Sequence, residues 1–256
     1  MKNPSHHDMA VWKNHREGTV LGGIDFRKRS LLLMLAILPA ACVTPLPDPR
    51  TQIVPEPAFT PPVRPPQPGQ EWVYTVRNVF NKQVVDVITE RVVAVGDQVR
   101  IQRTSQKSGP LVDEIQSPWG LILQDPHWLP PQLFTSALPL WPERLKAGWS
   151  GEYRRRYQVV GVPDYDYDWI LDMKALTWEE ITVPAGKFRA LKFTNHIRFQ
   201  SYEFYYRLSS ERTETLWMIP EIGRWAVRRS DGVYYIEGHG SRMREDDLEW
   251  ELQSWK

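Results

Sequence analysis

Three histidines, His127, His196 and His239, are the side chains of the C-terminal two thirds best suited to bind a metal or move a proton. None pairs with a second ligand at a helical spacing such as His-Glu-x-x-His, so a site would need three separate segments to converge. Gly148-Trp149-Ser150-Gly151 lacks the second glycine of a nucleophile elbow, which leaves serine hydrolysis unsupported. Asp164, Asp166 and Asp168 alternate with Tyr165, Tyr167 and Trp169. On a strand, such carboxylates share one face about 7 Å apart and cannot by themselves wrap a calcium ion. Glu179 and Glu180 are adjacent, hence on opposite faces of a strand, a poor geometry for an acid/base pair. Glu245, Asp246 and Asp247 read as a solvated turn before a final strand carrying Leu248, Trp250 and Leu252. In Arg154-Arg155-Arg156 only the first and third share a face, and a salt-bridged exterior is expected there before a phosphate or headgroup site. No catalytic set, metal site or cofactor emerges, and the expectation is a protein that is not an enzyme.

The elements that would carry these side chains come from 256 residues, 41% hydrophobic and 25% charged, enough to bury a core. A formal net charge of +1 lacks the basic excess of a nucleic-acid binder. One cysteine excludes a disulfide framework within the chain. That cysteine, Cys42, follows a basic patch at Arg27-Lys28-Arg29, an apolar run from Leu31 to Leu38 and the small pair Ala40-Ala41. The run is too short to span a bilayer, which needs roughly 20 residues, and the pattern is that of a signal peptide.

Leu38-Pro39-Ala40-Ala41-Cys42 resembles the bacterial lipobox, although Pro39 stands where Leu is usual. The resemblance implies a leader of residues 1–41, cleavage before Cys42 and acyl chains on that residue, so the expected partner is a membrane held through Cys42. Several acyl chains give anchoring that one does not. Val43 is not the Asp that retains such proteins in an inner membrane, which implies the outer membrane facing the periplasm, provided the source has two membranes.

Residues 42–70 hold ten prolines, which fix φ and donate no backbone N–H. This stretch reads as an extended, disordered tether. Residues 71–256 carry a formal charge of −2 and eleven of the twelve tryptophans, and read as one antiparallel β domain. Strand signals run through Trp72–Val76, Val84–Val95, Gln98–Arg103, Tyr153–Val160, Tyr165–Met173, Leu176–Val183, Phe188–Phe199, Tyr202–Leu208, Thr213–Ile219, Trp225–Arg229 and Val233–Glu237. Within Phe188–Phe199, Leu191, Phe193, Ile197 and Phe199 share one face and Lys192, Thr194, His196 and Arg198 the other, the alternation of a sheet buried on one side. No segment shows a helical stripe of three turns. The expected fold is all-β, a curved antiparallel sheet forming an open or half β-barrel, with few or no helices.

Val183-Pro184-Ala185-Gly186-Lys187-Phe188-Arg189-Ala190-Leu191, followed by Trp217-Met218-Ile219-Pro220-Glu221-Ile222-Gly223, resembles paired signatures of uncharacterised bacterial periplasmic proteins and lipoproteins. The resemblance implies a curved sheet related to the half-barrels of lipoprotein carriers and receptors, and brings no catalytic residues. Physically both segments read as turns, with Pro184 presetting φ and Gly186 and Gly223 available for positive φ. Three roles fit: a non-catalytic binding or carrier module for an apolar ligand or lipid, a structural component that docks an envelope protein, or a glycan binder stacking sugars on exposed tryptophans. No ligand-binding residue is singled out.

Overall fold

The structure, a computed structural model, describes residues 48–203, 205–238 and 240–256. The leader, Cys42, Val43 and His239 lie outside the described residues, as do the side chains of Asp164 and Asp246. Fourteen strands follow one another: β1 (Thr51–Ile53), β2 (Glu71–Asn78), β3 (Val84–Val95), β4 (Val99–Ser105), β5 (Gly109–Pro110), β6 (Glu114–Gln116), β7 (Leu121–Asp125), β8 (Gln132–Pro139), β9 (Ser150–Val159), β10 (Val162–Val183), β11 (Gly186–Phe199), β12 (Arg207–Ile219), β13 (Arg224–Ile236) and β14 (Arg242–Trp255). The one helical element among the described residues is a 3-10 turn, Pro220–Ile222. The all-β class and the curved antiparallel sheet are therefore as expected.

The sheet also closes. From β2 to β14, leaving out the two-residue β5, each strand pairs with the next in the chain, and β14 pairs with β2 through Trp250↔Val76 and Leu252↔Tyr74. The result is a twelve-stranded antiparallel up-and-down barrel, in which closure removes the unpaired edges that would invite aggregation.

Several boundaries move. Residues 165–173 and 176–183 form one strand, β10, bent by a bulge at Ala175/Thr177. Residues 225–229 and 233–237 likewise join into β13, while most of 202–208 is a connection. The acidic run 245–247 is not a turn; it lies within β14, where Glu245 pairs with Arg207 and Arg212. Strands β7 and β8 come from a proline-punctuated stretch that carried no strand expectation, because its prolines fall in the connections and at the last residue of β8, where no ladder donor is missed.

The largest departure concerns the tether. Residues 48–70, expected as free spacer, are laid along the barrel. β1 adds to the edge of β10, Thr51↔Ile181 through Ile53↔Glu179. Just before it, Arg50 bonds Asp48 and reaches Glu249 and Glu251, which alternate with core residues Trp250 and Leu252 and so face outward from β14. Burial would raise the Asp48 carboxyl, but the bonds and charge of Arg50 and the charge of Arg229 hold it at about 2. The chain then crosses the barrel end formed by connections 96–98, 117–120, 140–149 and 220–223. Arg64 N donates to Pro220 O at 2.8 Å, Trp119 Nε1 donates to Arg64 O at 3.1 Å, and Gly69 N donates to Val92 O at 2.8 Å. Proline suits this path: a strap without N–H groups leaves few donors to satisfy, and its preset φ lowers the entropy cost of ordering it.

Gly223 receives the strap. Its φ is +68°, and a Cβ there would stand 2.8 Å from Arg64 O. Gly223→Ala is therefore expected to cost about 1–2 kcal/mol for the left-handed backbone alone and to lift the strap. Limited proteolysis should show faster cleavage within residues 54–70; unchanged protection there would mean that this contact does not hold the strap.

The interior accounts for most of the buried tryptophans. Twelve strands enclose more space than the eight whose ordinary side chains fill a barrel. Long and broad side chains close the gap: Trp72, Trp128, Trp169, Trp178, Trp225 and Trp250 are all buried, and Trp119, Trp141, Trp149 and Trp255 pack against the core partly covered. Trp217 is buried too, but on the face it shares with its cross-strand partners Lys192 and Val227.

Candidate functional site

Charged residues span the lumen along with the aromatics. Arg224, at the start of β13, donates to Glu90 of β3 and Glu114 of β6, with Nη2 2.6 Å from an oxygen of each. β6 lies almost opposite β13 around the barrel, so one guanidinium ties facing walls together. Arg103 Nε donates to Glu90 Oε1 at 3.2 Å. His127 enters from connection 126–131, its Nδ1 2.8 Å from Asp125 Oδ1 and its Nε2 2.8 Å from Glu90 Oε1. Trp225 and Trp250 meet the imidazole edge-on, at 5.4 and 5.3 Å between centroids. A second group follows: Arg228 Nε donates to Glu214 Oε1 at 2.7 Å, Asn195 Nδ2 donates to Glu214 Oε2 at 2.9 Å, and Arg212 and Arg228 lie over the Trp128 ring.

Burial would raise Glu90, yet Arg224, His127 and Arg103 outweigh it and hold its carboxyl well below the ordinary range. Asp125 behaves alike: burial raises it, and His127 and Arg228 bring it down. Burial would discharge Arg224, but Glu114 and Glu90 keep it charged. Glu90, Glu114 and His127 present ligand-capable atoms within 4.8 Å of one another. Arg224 already stands between the two carboxylates, where a cation would sit, so the set is an ion-pair cluster. With Glu90, Glu114 and Arg224 wholly buried, its evident work is to pin the barrel walls in one register.

Two spaces adjoin this cluster. The one inside the barrel, between Trp128, Phe134, Trp169, Leu216 and Trp225, measures about 40 Å³. Small-ligand sites begin near ~300 Å³, so it has room for water and not for an acyl chain. The lumen is thus filled by side chains. The second space, about 370 Å³, lies at the barrel end away from the strap, between connection 126–131 and the wall formed by β14, β2, β3 and β4. Its sides are Val76, Val85, Ile88, Leu111, Leu129 and Trp250, and Arg103 and His127 close its floor.

The singled-out residues are not brought together. His196 is exposed on β11 while His127 is in the core. Glu179 is buried beneath Trp217 Nε1, and Glu180 faces out to Lys187. Arg154 and Arg156 pair with Glu152 and with Asp166 and Asp168 on the exterior. Ser150 and Gly151 begin β9. The glycan reading loses its platform, since no tryptophan among the described residues is exposed. The two segments behind the family resemblance are turns: Pro184-Ala185 joins β10 to β11 with Gly186 at φ +136°, and Pro220–Ile222 leads through Gly223 into β13.

The ionic cluster had a signal that sequence reading passed over. In Val99–Ser105, Arg103 falls in phase with Val99 and Ile101, and in β3 Glu90 falls between Ile88 and Val92. A charge in the phase of the apolar face marks a buried partner on another strand.

No family model matches the sequence, and no curated protein matches it. Among solved structures, a protein named as a lipoprotein from Parabacteroides distasonis ATCC 8503 superposes with a TM-score of 0.50 at 15% identity, covering 75% of this chain and 97% of that one. An exported protein with a YmcC-like fold from Bacteroides fragilis NCTC 9343 gives 0.49 at 13% identity, over 77% and 99%. The hypothetical lipoprotein YmcC from Escherichia coli K12 gives 0.38 at 10% identity, over 73% and 85%. The Parabacteroides protein shares the fold of this chain.

Proposed function

We propose that this chain is a lipid-anchored envelope protein, acylated at Cys42, that takes an apolar group into the cleft beneath connection 126–131 without catalysing a reaction. The cleft carries the reading: about 370 Å³ of mostly apolar wall opens at one end of a barrel whose lumen is otherwise full. The anchor follows from the lipobox-like run before Cys42, and Val43 favours the outer membrane. The name of the Parabacteroides protein agrees with an anchor of this kind. A non-catalytic role is supported by the titratable groups at the cleft floor, which are spent on one another in ion pairs.

Mass spectrometry of the membrane-extracted protein tests the anchor, with an acylated peptide beginning at Cys42 as the expected species. Binding is tested with a fluorescent fatty acid such as cis-parinaric acid. Leu129, 84% exposed at the cleft lip, tolerates a polar side chain without cost to the core. Leu129→Asp should weaken saturable binding by about tenfold, the order of one leucine's apolar contact. Absence of saturable binding to the unsubstituted protein, or equal binding to both, sinks the cleft reading.

A further inference from the structure

Apolar exposure is concentrated at one end of the barrel. Of sixteen large hydrophobic side chains exposed among the described residues, twelve lie on or within four residues of the connections opposite the strap, so the exposure is polarised and not scattered. Phe80 projects between β2 and β3, Leu129 between β7 and β8, Tyr165 near the β9–β10 turn, Tyr205 between β11 and β12, and Met243 at the start of β14. Five connections around the rim thus each carry at least one. Elsewhere among the described residues only Ile53, Phe59, Val93 and Val95 are exposed in this way, and a rim so enriched is the mark of a surface that meets something apolar.

The length of chain before Asp48 identifies the occupant. Six peptide units separate Cys42 from Asp48, which limits them to about 20 Å whatever conformation lies between. The 28-residue spacer read from composition would have allowed some four times that reach, but most of it is fastened to the barrel by β1, Arg50 and Arg64. Asp48 is held beside Arg229, seven residues before the rim end of β13 at Ile236. Seven strand residues rise about 23 Å, or about 18 Å along the axis at a tilt near 40°. An acyl group on Cys42 therefore keeps the rim within reach of the bilayer.

We infer that the rim carrying Phe80, Leu129 and Tyr165 rests in the interface of the same membrane that holds Cys42, with the cleft opening toward the lipid. This rests on acylation of Cys42 and deepens the cleft reading by naming a bilayer as the source of its apolar guest. Tyrosine and phenylalanine suit the headgroup boundary, where one side of the ring is apolar and the other wet. The strap end is the poorer candidate, being sealed by prolines and offering only Phe59, Val93 and Val95.

The test uses the full-length lipidated protein in phosphatidylcholine vesicles containing brominated lipid. Cys42 is the one native thiol, and once acylated it leaves an introduced cysteine as the single labelling site. Phe80→Cys, Leu129→Cys and Tyr165→Cys, each carrying an environment-sensitive dye, should lose most of their emission to the quencher, and Val95→Cys at the strap end should lose none. Quenching at Val95→Cys alone, or at none of the four with the acyl mass present, overturns the docking and leaves the anchor standing. A missing acyl mass, with dye attaching at Cys42, overturns both. A second measurement needs no substitution: hydrogen exchange in connections 79–83 and 126–131 should slow on reconstitution, and equal exchange with and without vesicles counts against the docking.

Discussion

Replacing Arg224 with alanine is expected to lower the unfolding temperature by about 6–20 °C. The estimate joins a cost of ~3–5 kcal/mol for breaking a buried ion pair from one side to a shift of ~2–4 °C per kcal/mol for a domain of this size. Arg224 is wholly buried and donates to both Glu90 and Glu114, themselves buried. Its loss leaves two carboxylates in the barrel interior with their main counter-charge gone, and the walls β13, β3 and β6 without their common tie. The cost should come from the stranded charges and not from the lost attraction. The triple variant Arg224→Met, Glu90→Gln, Glu114→Gln is therefore expected to recover most of the loss, since neutral replacements of similar volume remove the desolvation problem at its source. Thermal unfolding followed by near-ultraviolet circular dichroism distinguishes the cases. A single variant that melts within a degree or two of the unsubstituted protein would show that the cluster does not hold the barrel together.

Acid should destabilise the protein steeply below about pH 4. Glu90 and Asp125 have folded values depressed from the ordinary 4.5 and 3.8. Groups shifted in this direction contribute stability that is complete above the unfolded values and is lost as pH falls through the folded ones. Between those limits the unfolded chain carries two protons that the folded chain does not. The linkage slope is then ~1.4 kcal/mol per pH unit for each group, about 2.7 for the pair, or roughly 5–10 °C per unit. The groups facing Glu90 are Arg224 from β13, Arg103 from β4 and His127 from connection 126–131; those facing Asp125 are His127, Trp128 and Arg228. In the triple variant the Glu90 contribution is gone and the slope should fall by about half. Melting temperatures measured between pH 6 and 3 test this, and a flat profile in the unsubstituted protein would contradict the assignment of both carboxylates.

Much of the fold could be read from alternation. Leu191, Phe193, Ile197 and Phe199 do share the buried face of β11, and His196 and Arg198 the exposed one, because a period of two leaves little freedom once one face is buried. Asn195 lies on the same inner face, a polar residue in apolar phase, and is paired with Glu214. Arg103, Glu90 and Glu214 follow the same rule: each is charged, each is in phase with apolar neighbours, and each finds its partner on another strand. Short β6, β7 and β8 were illegible for a different reason, since strands of three, five and eight residues among prolines carry too little periodicity to be told from loop.

Local patterning by itself determined the strand-rich class, the antiparallel pairing of neighbours, the two glycine-bearing turns at Gly186 and Gly223, and the lipobox-like approach to Cys42, because each depends on residues close in the chain. Only the tertiary structure decided that the sheet closes, that the eleven tryptophans of the domain are covered and not displayed on a surface, and that Glu90, Glu114 and Arg224 meet inside the barrel. It alone also turned most of a proline spacer into a strap and gathered the exposed aromatics at one rim. Those outcomes depend on pairings across tens to more than a hundred residues, whose free energy comes from burial and desolvation that no local window contains.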